Sequence, residues 1–178
     1  MAQYFNISGE LTQQLLAPGD NVDVSKISLT NTQKVSSCKV DLYIEKALKG
    51  KFYLLKGVEL PIGATFIYDD TKFSNAAGEF GLFIKLTDGP SFALTGEIDP
   101  AASTGLTSDG SGSTGVASGT AFLSEVSVGD EIVVSGETRV VSTITANDAL
   151  VVTSAFSNNG NDSTPDCNPT ALVDVIIN

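Results

Sequence analysis

The last strand of the chain sets the strongest condition on its fold. Leu172-Val173-Asp174-Val175-Ile176-Ile177-Asn178 is apolar and largely β-branched. Such a segment left at a free sheet edge invites aggregation, so it needs partners in a sheet. The residues before it, Ser157 to Pro169, form a polar loop of Asn, Gly, Asp, Ser and two prolines. The short strands ahead of that loop have a complement of their own. The first ninety residues read as a sandwich in which one closing strand fits. Residues 93–168 are therefore read as an insertion into one β domain.

Hydrophobic periodicity supports strands almost throughout. Cys38, Val40, Leu42 and Ile44 alternate with Lys39, Asp41, Tyr43 and Glu45, giving one dry face and one wet face. Phe80, Leu82, Ile84 and Leu86 repeat the pattern. Val22 and Val24 slip against Ile27 and Leu29 near Ser25-Lys26, where a bulge is expected. Turn signals such as Pro18-Gly19, Lys49-Gly50, Pro61 to Gly63 and Asp88-Gly89 recur between the strands. Glu10 to Leu16 is the one helical candidate, ended by Pro18-Gly19.

From Asp99 to Gly119 the chain is built mainly of Ala, Ser, Thr and Gly with one leucine and one valine, and it reads as a flexible linker or an exposed loop. Strands resume with Thr120 to Leu123 and Val126 to Val128. Glu131 to Val134 and Thr138 to Ile144 then flank a hairpin turn at Ser135-Gly136, and Leu150 to Val152 follows. The expected fold class is all-β: an antiparallel sandwich, immunoglobulin-like or jelly-roll-like, with an inserted small β-barrel. The expected boundaries are 1–92 plus 169–178 for the sandwich, 93–118 for the linker, 119–158 for the barrel and 159–168 for the return loop.

Charge divides the chain in the same way. All nine lysines lie in the first ninety residues with ten carboxylates, net −1, whereas residues 91–178 hold Arg139 against eleven carboxylates, net −10, making up the total of −11. An acidic chain of this kind repels phosphate backbones and acidic bilayers, so neither nucleic acid nor membrane is an expected partner. Met1-Ala2-Gln3-Tyr4-Phe5 lacks a basic segment followed by an apolar one and is expected not to be a secretory signal. A reducing cytoplasm is the expected site of production.

The chain has no histidine, which removes Ser-His and Cys-His pairs and His-based metal sites. Gly110-Ser111-Gly112-Ser113-Thr114-Gly115 spells a dinucleotide fingerprint, with Asp130 at the distance of a ribose-binding acid. It lacks the preceding apolar strand and the following helix, so it reads as linker. Asp69-Asp70 and the run Asn158 to Asp162 offer oxygen ligands but not the spacing of a calcium loop, and read as solvated turns. No facing pair of acids for a glycosidase can be assigned from sequence. Asn6-Ile7-Ser8 and Asn161-Asp162-Ser163 are formal glycosylation sequons, expected to be inert. Aromatics such as Tyr4, Phe52, Tyr53 and Phe83 read as cross-strand packing. Cys38 reads as a buried free thiol, with a bridge to Cys167 as the alternative. No catalytic residue, cofactor-binding residue or metal ligand is assigned, and no cofactor is expected.

Two sets of motifs carry a resemblance. Lys26-Ile27-Ser28-Leu29-Thr30-Asn31, Val40 to Ile44, Phe52 to Lys56, Leu60 to Thr65 and Val173 to Ile177 together resemble small β-sandwich virion proteins of tailed bacteriophages. Gly119 to Leu123, Ser127 to Ile132, Val134 to Val141 and Ser154 to Phe156 are similar to a small β module that recurs in phage head and tail proteins. The resemblance implies a non-enzymatic structural protein of the virion, assembled in the host cytoplasm. Its expected role is capsid decoration or cement on the outer head surface, bound to the major capsid protein, as a homo-oligomer. The alternatives are a neck or tail connector, collar or fibre-attachment protein bound to neck or tail proteins, or a receptor- or glycan-binding module. Lys46, Lys49 and Lys51 are the candidate contact residues.

Overall fold

The computed structural model describes residues 2–69, 72–107, 115–157 and 160–178. It divides into two compact units, Met1–Gly89 with Ala171–Asn178, and Pro90–Thr170. By these boundaries the first unit carries eleven carboxylates and nine lysines, net −2, and the second ten carboxylates and Arg139, net −9.

The first unit holds β1 (Gln3–Ser8), β2 (Thr12–Leu16), β3 (Asp23–Val24), β4 (Ile27–Asn31), β5 (Cys38–Lys46), β6 (Gly50–Leu60), β7 (Thr65–Tyr68), β8 (Phe73–Ser74) and β9 (Phe80–Thr87). The last strand of the chain, β18 (Leu172–Ile177), joins them. One sheet has the order β1-β18-β4-β7 and the other β2-β9-β5-β6, with β3-β8 as a short separate ribbon. Every pair is antiparallel, and the long strands are nested: β5 with β6, β4 with β7, β2 with β9, β1 with β18. Nested pairing of this kind is one hairpin ribbon rolled into two sheets, the jelly roll. Of the two sandwich types expected, this pairing order picks the jelly roll over the immunoglobulin-like arrangement.

The core follows from strand alternation. Ile7, Leu29, Val173, Val175 and Ile177 face inward from one sheet, and Val40, Leu42, Leu82, Ile84 and Leu86 from the other. β18 lies between β1 and β4 and is hydrogen-bonded along both edges. Burying its three inward side chains stabilises the unit by roughly 1.5–3 kcal/mol each. The chain crosses out of this unit after β9 and back before β18. Asp88 Oδ1 accepts the Ala171 N–H at 2.7 Å, and Gly9 N–H donates to the Ala171 carbonyl at 2.9 Å, so the two crossings are tied side by side.

One local expectation is corrected in this unit. Glu10 to Leu16 is not helical: Thr12–Leu16 is strand β2, paired with β9. A register shift between Gln14 and Leu16 lets the adjacent Leu15 and Leu16 both be buried, a gain that outweighs local helix preference. At Ser25-Lys26, where a bulge is expected, the chain passes from β3 to β4 and both N–H groups donate to the Asn178 carbonyl, at 2.6 and 3.0 Å, two residues against one as in a β-bulge.

The second unit holds β10 (Phe92–Ala93), β11 (Glu97–Asp99), β12 (Gly105–Thr107), β13 (Gly115–Ser118), helix α1 (Phe122–Glu125), β14 (Glu131–Val134), β15 (Glu137–Ala146), β16 (Ala149–Val152) and β17 (Asp166–Asn168). Its sheet order is β10-β17-β14-β15-β16-β12-β13-β11, around a core that includes Ile98, Leu106, Phe122, Ile132, Leu150 and Phe156. The turn at Ser135-Gly136 has φ values of +49° and +79°, the pattern of a two-residue type I′ hairpin.

Residues 93–118, expected as a linker, instead contribute β11, β12 and β13, with Ile98, Leu106 and Ala117 fully buried. Gly96 and Gly115 there serve close backbone approach. A Cβ on Gly115 would strike the Asp99 carbonyl, and one on Gly96 the Ser118 carbonyl. The stretch 159–168, expected as a return loop, contains β17, which places Cys167 in the core. Phe122–Glu125 is a helical turn, not a strand, and swings the Phe122 ring inward.

Candidate interaction surface

Of the residues that could have carried chemistry, several have structural roles and others lie outside the described residues. Gly110 to Thr114 lie outside the described residues, and Gly115 opens β13. Asp130, the acid at ribose-binding distance, is fully buried. Its Oδ2 accepts the Ser127 N–H at 2.7 Å and its Oδ1 the Thr170 N–H at 2.9 Å. Asp70, Asn158 and Asn159 also fall outside the described residues. Asp162 accepts the N–H of Ser135 at 2.6 Å and of Thr164 at 2.9 Å, so it organises its own loop. In the two sequons, the Asn6 amide donates to Asp174 at 2.5 Å and the Asn161 amide to Glu97. Among the described residues no group of three or more His, Cys, Asp and Glu side chains could hold a metal, and no helix is long and apolar enough to cross a membrane.

Arg139, the one basic side chain of the second unit, is a staple. Its Nη2 meets Glu137 Oε2 at 2.5 Å, its Nε donates to the Ala155 carbonyl at 2.9 Å, and its guanidinium lies over the Phe156 ring. Cys38 and Cys167 are both free and buried, each in its own core. Burial, then the negative charge of Asp88, pushes the Cys38 thiol up to about 11. Burial, then Asp130 and Glu125, pushes Cys167 up to about 12.

The two sheets of the jelly roll present opposite kinds of surface. The β2-β9-β5-β6 sheet carries Lys39, Lys46, Lys51, Lys56 and Lys85, and Lys49 sits in the β5–β6 turn. The three lysines singled out from sequence thus fall on one hairpin. Lys46 pairs with Glu79 at 3.1 Å. Lys51 lies over the Tyr43 ring, 4.5 Å from its centroid, and donates to Tyr43 Oη at 3.2 Å, a bond that raises its pKa. Lys56 lies over Tyr53 at 4.8 Å, while Tyr43 also stacks on Phe83 at 5.6 Å. Tyr43 is buried beneath these neighbours, which is cross-strand packing, whereas Tyr53 remains 43% exposed. At the turn, Leu48 is fully exposed with φ +61°, beside the exposed Lys49.

The outer face of the β1-β18-β4-β7 sheet has no lysine. Register places Tyr4, Ile176, Ser28 and Ile67 in one cross-strand row. Asn6, Asp174, Thr30 and Thr65 form the next. Asp174 is the only charged residue in these four strands, and the Asn6 amide covers it. Sequence reasoning missed this face because its strands are far apart in the chain; the signal was three strands without a charge and a fourth with the single carboxylate Asp174.

No protein-family model matches the chain, and no curated protein matches it. Solved structures give likenesses to infectious bursal disease virus of the Gx strain (9% identity, 100% of this chain and 32% of that one, TM-score 0.25). A second is to the T13 particle of the same virus, at 7% identity over 99% of this chain and 38% of that one, TM-score 0.23. A third is to the PBSX exported protein XepA, at 9% identity over 100% and 86%, TM-score 0.25. The chain spans about a third of the length of the two bursal-virus chains. At such scores these likenesses carry no weight for the role of this chain.

Proposed function

We propose that this chain is a non-enzymatic structural protein of a tailed-phage virion, a decoration or cement protein on the outer surface of the head. The observation that carries the reading is the division of surface chemistry. A jelly roll holding all nine lysines is spliced to a unit of net −9, and six of those lysines gather on one sheet and its hairpin. The lysine sheet docks on the shell through charge and through the exposed Leu48. The acidic unit supplies the net charge that opposes aggregation of particles. The sequence motifs shared with virion sandwiches support the same class. We read the acidic unit as a small barrel, because the Ile98–Asp162 bridge links β11, at one end of its strand order, to the segment entering β17.

Quantitative mass spectrometry of purified particles tests the role. A shell decoration gives on the order of hundreds of copies per particle, set by the repeated symmetric sites of the head. A count of about six or twelve puts the protein at the neck or tail and removes the decoration reading.

A further inference from the structure

The structure assigns a second copy of this chain as the partner of the charge-poor sheet: we infer an isologous, face-to-face dimer through β1-β18-β4-β7. This inference does not depend on the virion reading. Interface centres are depleted of charge; this face has one charged residue, and Tyr4, Ile176 and Ile67 form an aromatic and apolar row across it beside a row of short polar side chains. Tyr4 is 71% exposed and Ile67 49%, at opposite edges of the sheet, with Ile176 between them. A strongly charged partner finds little here to pair with: Asp174 is the only charged residue of the four strands, and the Asn6 amide already donates to it. The partner must itself be charge-poor, and this face of another copy meets that requirement in a chain of net −11.

The strand order fixes which two-fold arrangement works. An axis lying in the interface and parallel to the strands sets β1 over β7 of the other copy and β18 over β4. Tyr4 then packs on Ile67, Ile176 on Ser28, and Asp174 meets the Thr30 hydroxyl rather than the other Asp174. An axis perpendicular to the strands stacks β18 on β18 and drives the two Asp174 carboxylates together, so it is disfavoured. Four strands about 4.8 Å apart and about six residues long give a flat face of roughly 400 Å². Side-chain relief raises this toward the ~600 Å² per partner at the lower limit of stable interfaces. The dimer is accordingly weak, with a Kd on the order of 1–100 µM. Such a contact gains strength when copies are held on a common support.

The test is sedimentation equilibrium of the full chain between about 1 and 200 µM, a range that spans the Kd set by that interface size. The wild type is expected to dimerise. Tyr4→Lys and Ile67→Glu are each expected to weaken dimerisation at least about tenfold, because each places a charge against an apolar partner. Both sites are exposed, so the melting temperature stays near wild type. The double variant sets Lys against Glu twice per dimer and is expected to recover affinity over either single variant. Leu48→Ser, on the other sheet's hairpin, leaves association unchanged. A monomeric wild type across the range overturns the proposal. So do single variants that dimerise like wild type, or a double variant no tighter than the singles.

Discussion

Replacing Asp130 with alanine should unfold the acidic unit before the jelly roll. Asp130 is fully buried, and its two oxygens accept backbone N–H groups of Ser127 and Thr170, 43 residues apart by their numbers. The first bond closes the turn into β14, and the second pins the returning chain just before it leaves the unit. Each is a charge-assisted bond, worth about 1.5–3 kcal/mol. Alanine removes both acceptors from a site closed to water, so the loss is roughly 3–5 kcal/mol. A unit of 81 residues has about 4–12 kcal/mol in total, so the variant sits at the margin of folding. Asparagine keeps one acceptor oxygen but turns an N–H donor on the other amide, and should lose about half as much. Urea titration followed by far-UV circular dichroism reads this as an early transition absent from the wild type. If Asp130→Ala unfolds within about 0.5 kcal/mol of wild type, the carboxylate is not the clamp described here, and a ligand-binding role for it must be reconsidered.

Further outcomes follow from the cores and the glycines. Both thiols stay protonated well above their ordinary value, so native protein at pH 8 should react with a thiol reagent far more slowly than denatured protein. Labelling of Cys38 or Cys167 at the free-thiol rate would contradict their burial. The same shifts have a pH consequence. Below pH 9 both states keep the proton and stability is unaffected; as pH rises from 9 toward 11 only the unfolded chain ionises, so stability should fall over that window in urea titrations. Gly96→Ala should destabilise more than Gly129→Ala in thermal melts. Both have positive φ, +89° and +96°, but only Gly96 has backbone where the Cβ must go; equal losses would refute the close-approach account.

The strands that were legible in the sequence are those whose inward residues alternate without interruption. β5, β9 and β18 announce themselves because Val40-Leu42, Leu82-Ile84-Leu86 and Val173-Val175-Ile177 face one core. β2 did not, since Thr-Gln-Gln-Leu-Leu has no period until a register shift beside β9 buries both leucines. The strands of residues 93–118 were hidden for another reason. Gly96 and Gly115 there allow backbones to meet, and composition alone cannot tell that use from flexibility. The lysine hairpin was half visible, because Lys46, Lys49 and Lys51 are neighbours in sequence. The charge-poor face was not, because residues 3–8, 27–31, 65–68 and 172–177 become one surface only through the pairing of β18 with β1 and β4 and of β4 with β7.

The central claim is that the two ends of the chain make one jelly roll, with the acidic unit spliced between β9 and β18. Excision tests it most directly. Joining Gly89 to Ala171 by a short Gly/Ser bridge keeps the Asp88–Ala171 tie and every strand of both sheets. The excised protein is predicted to show a β-type circular dichroism spectrum and one cooperative thermal transition. A spectrum of unfolded chain, or a melt without a cooperative transition, would contradict the account.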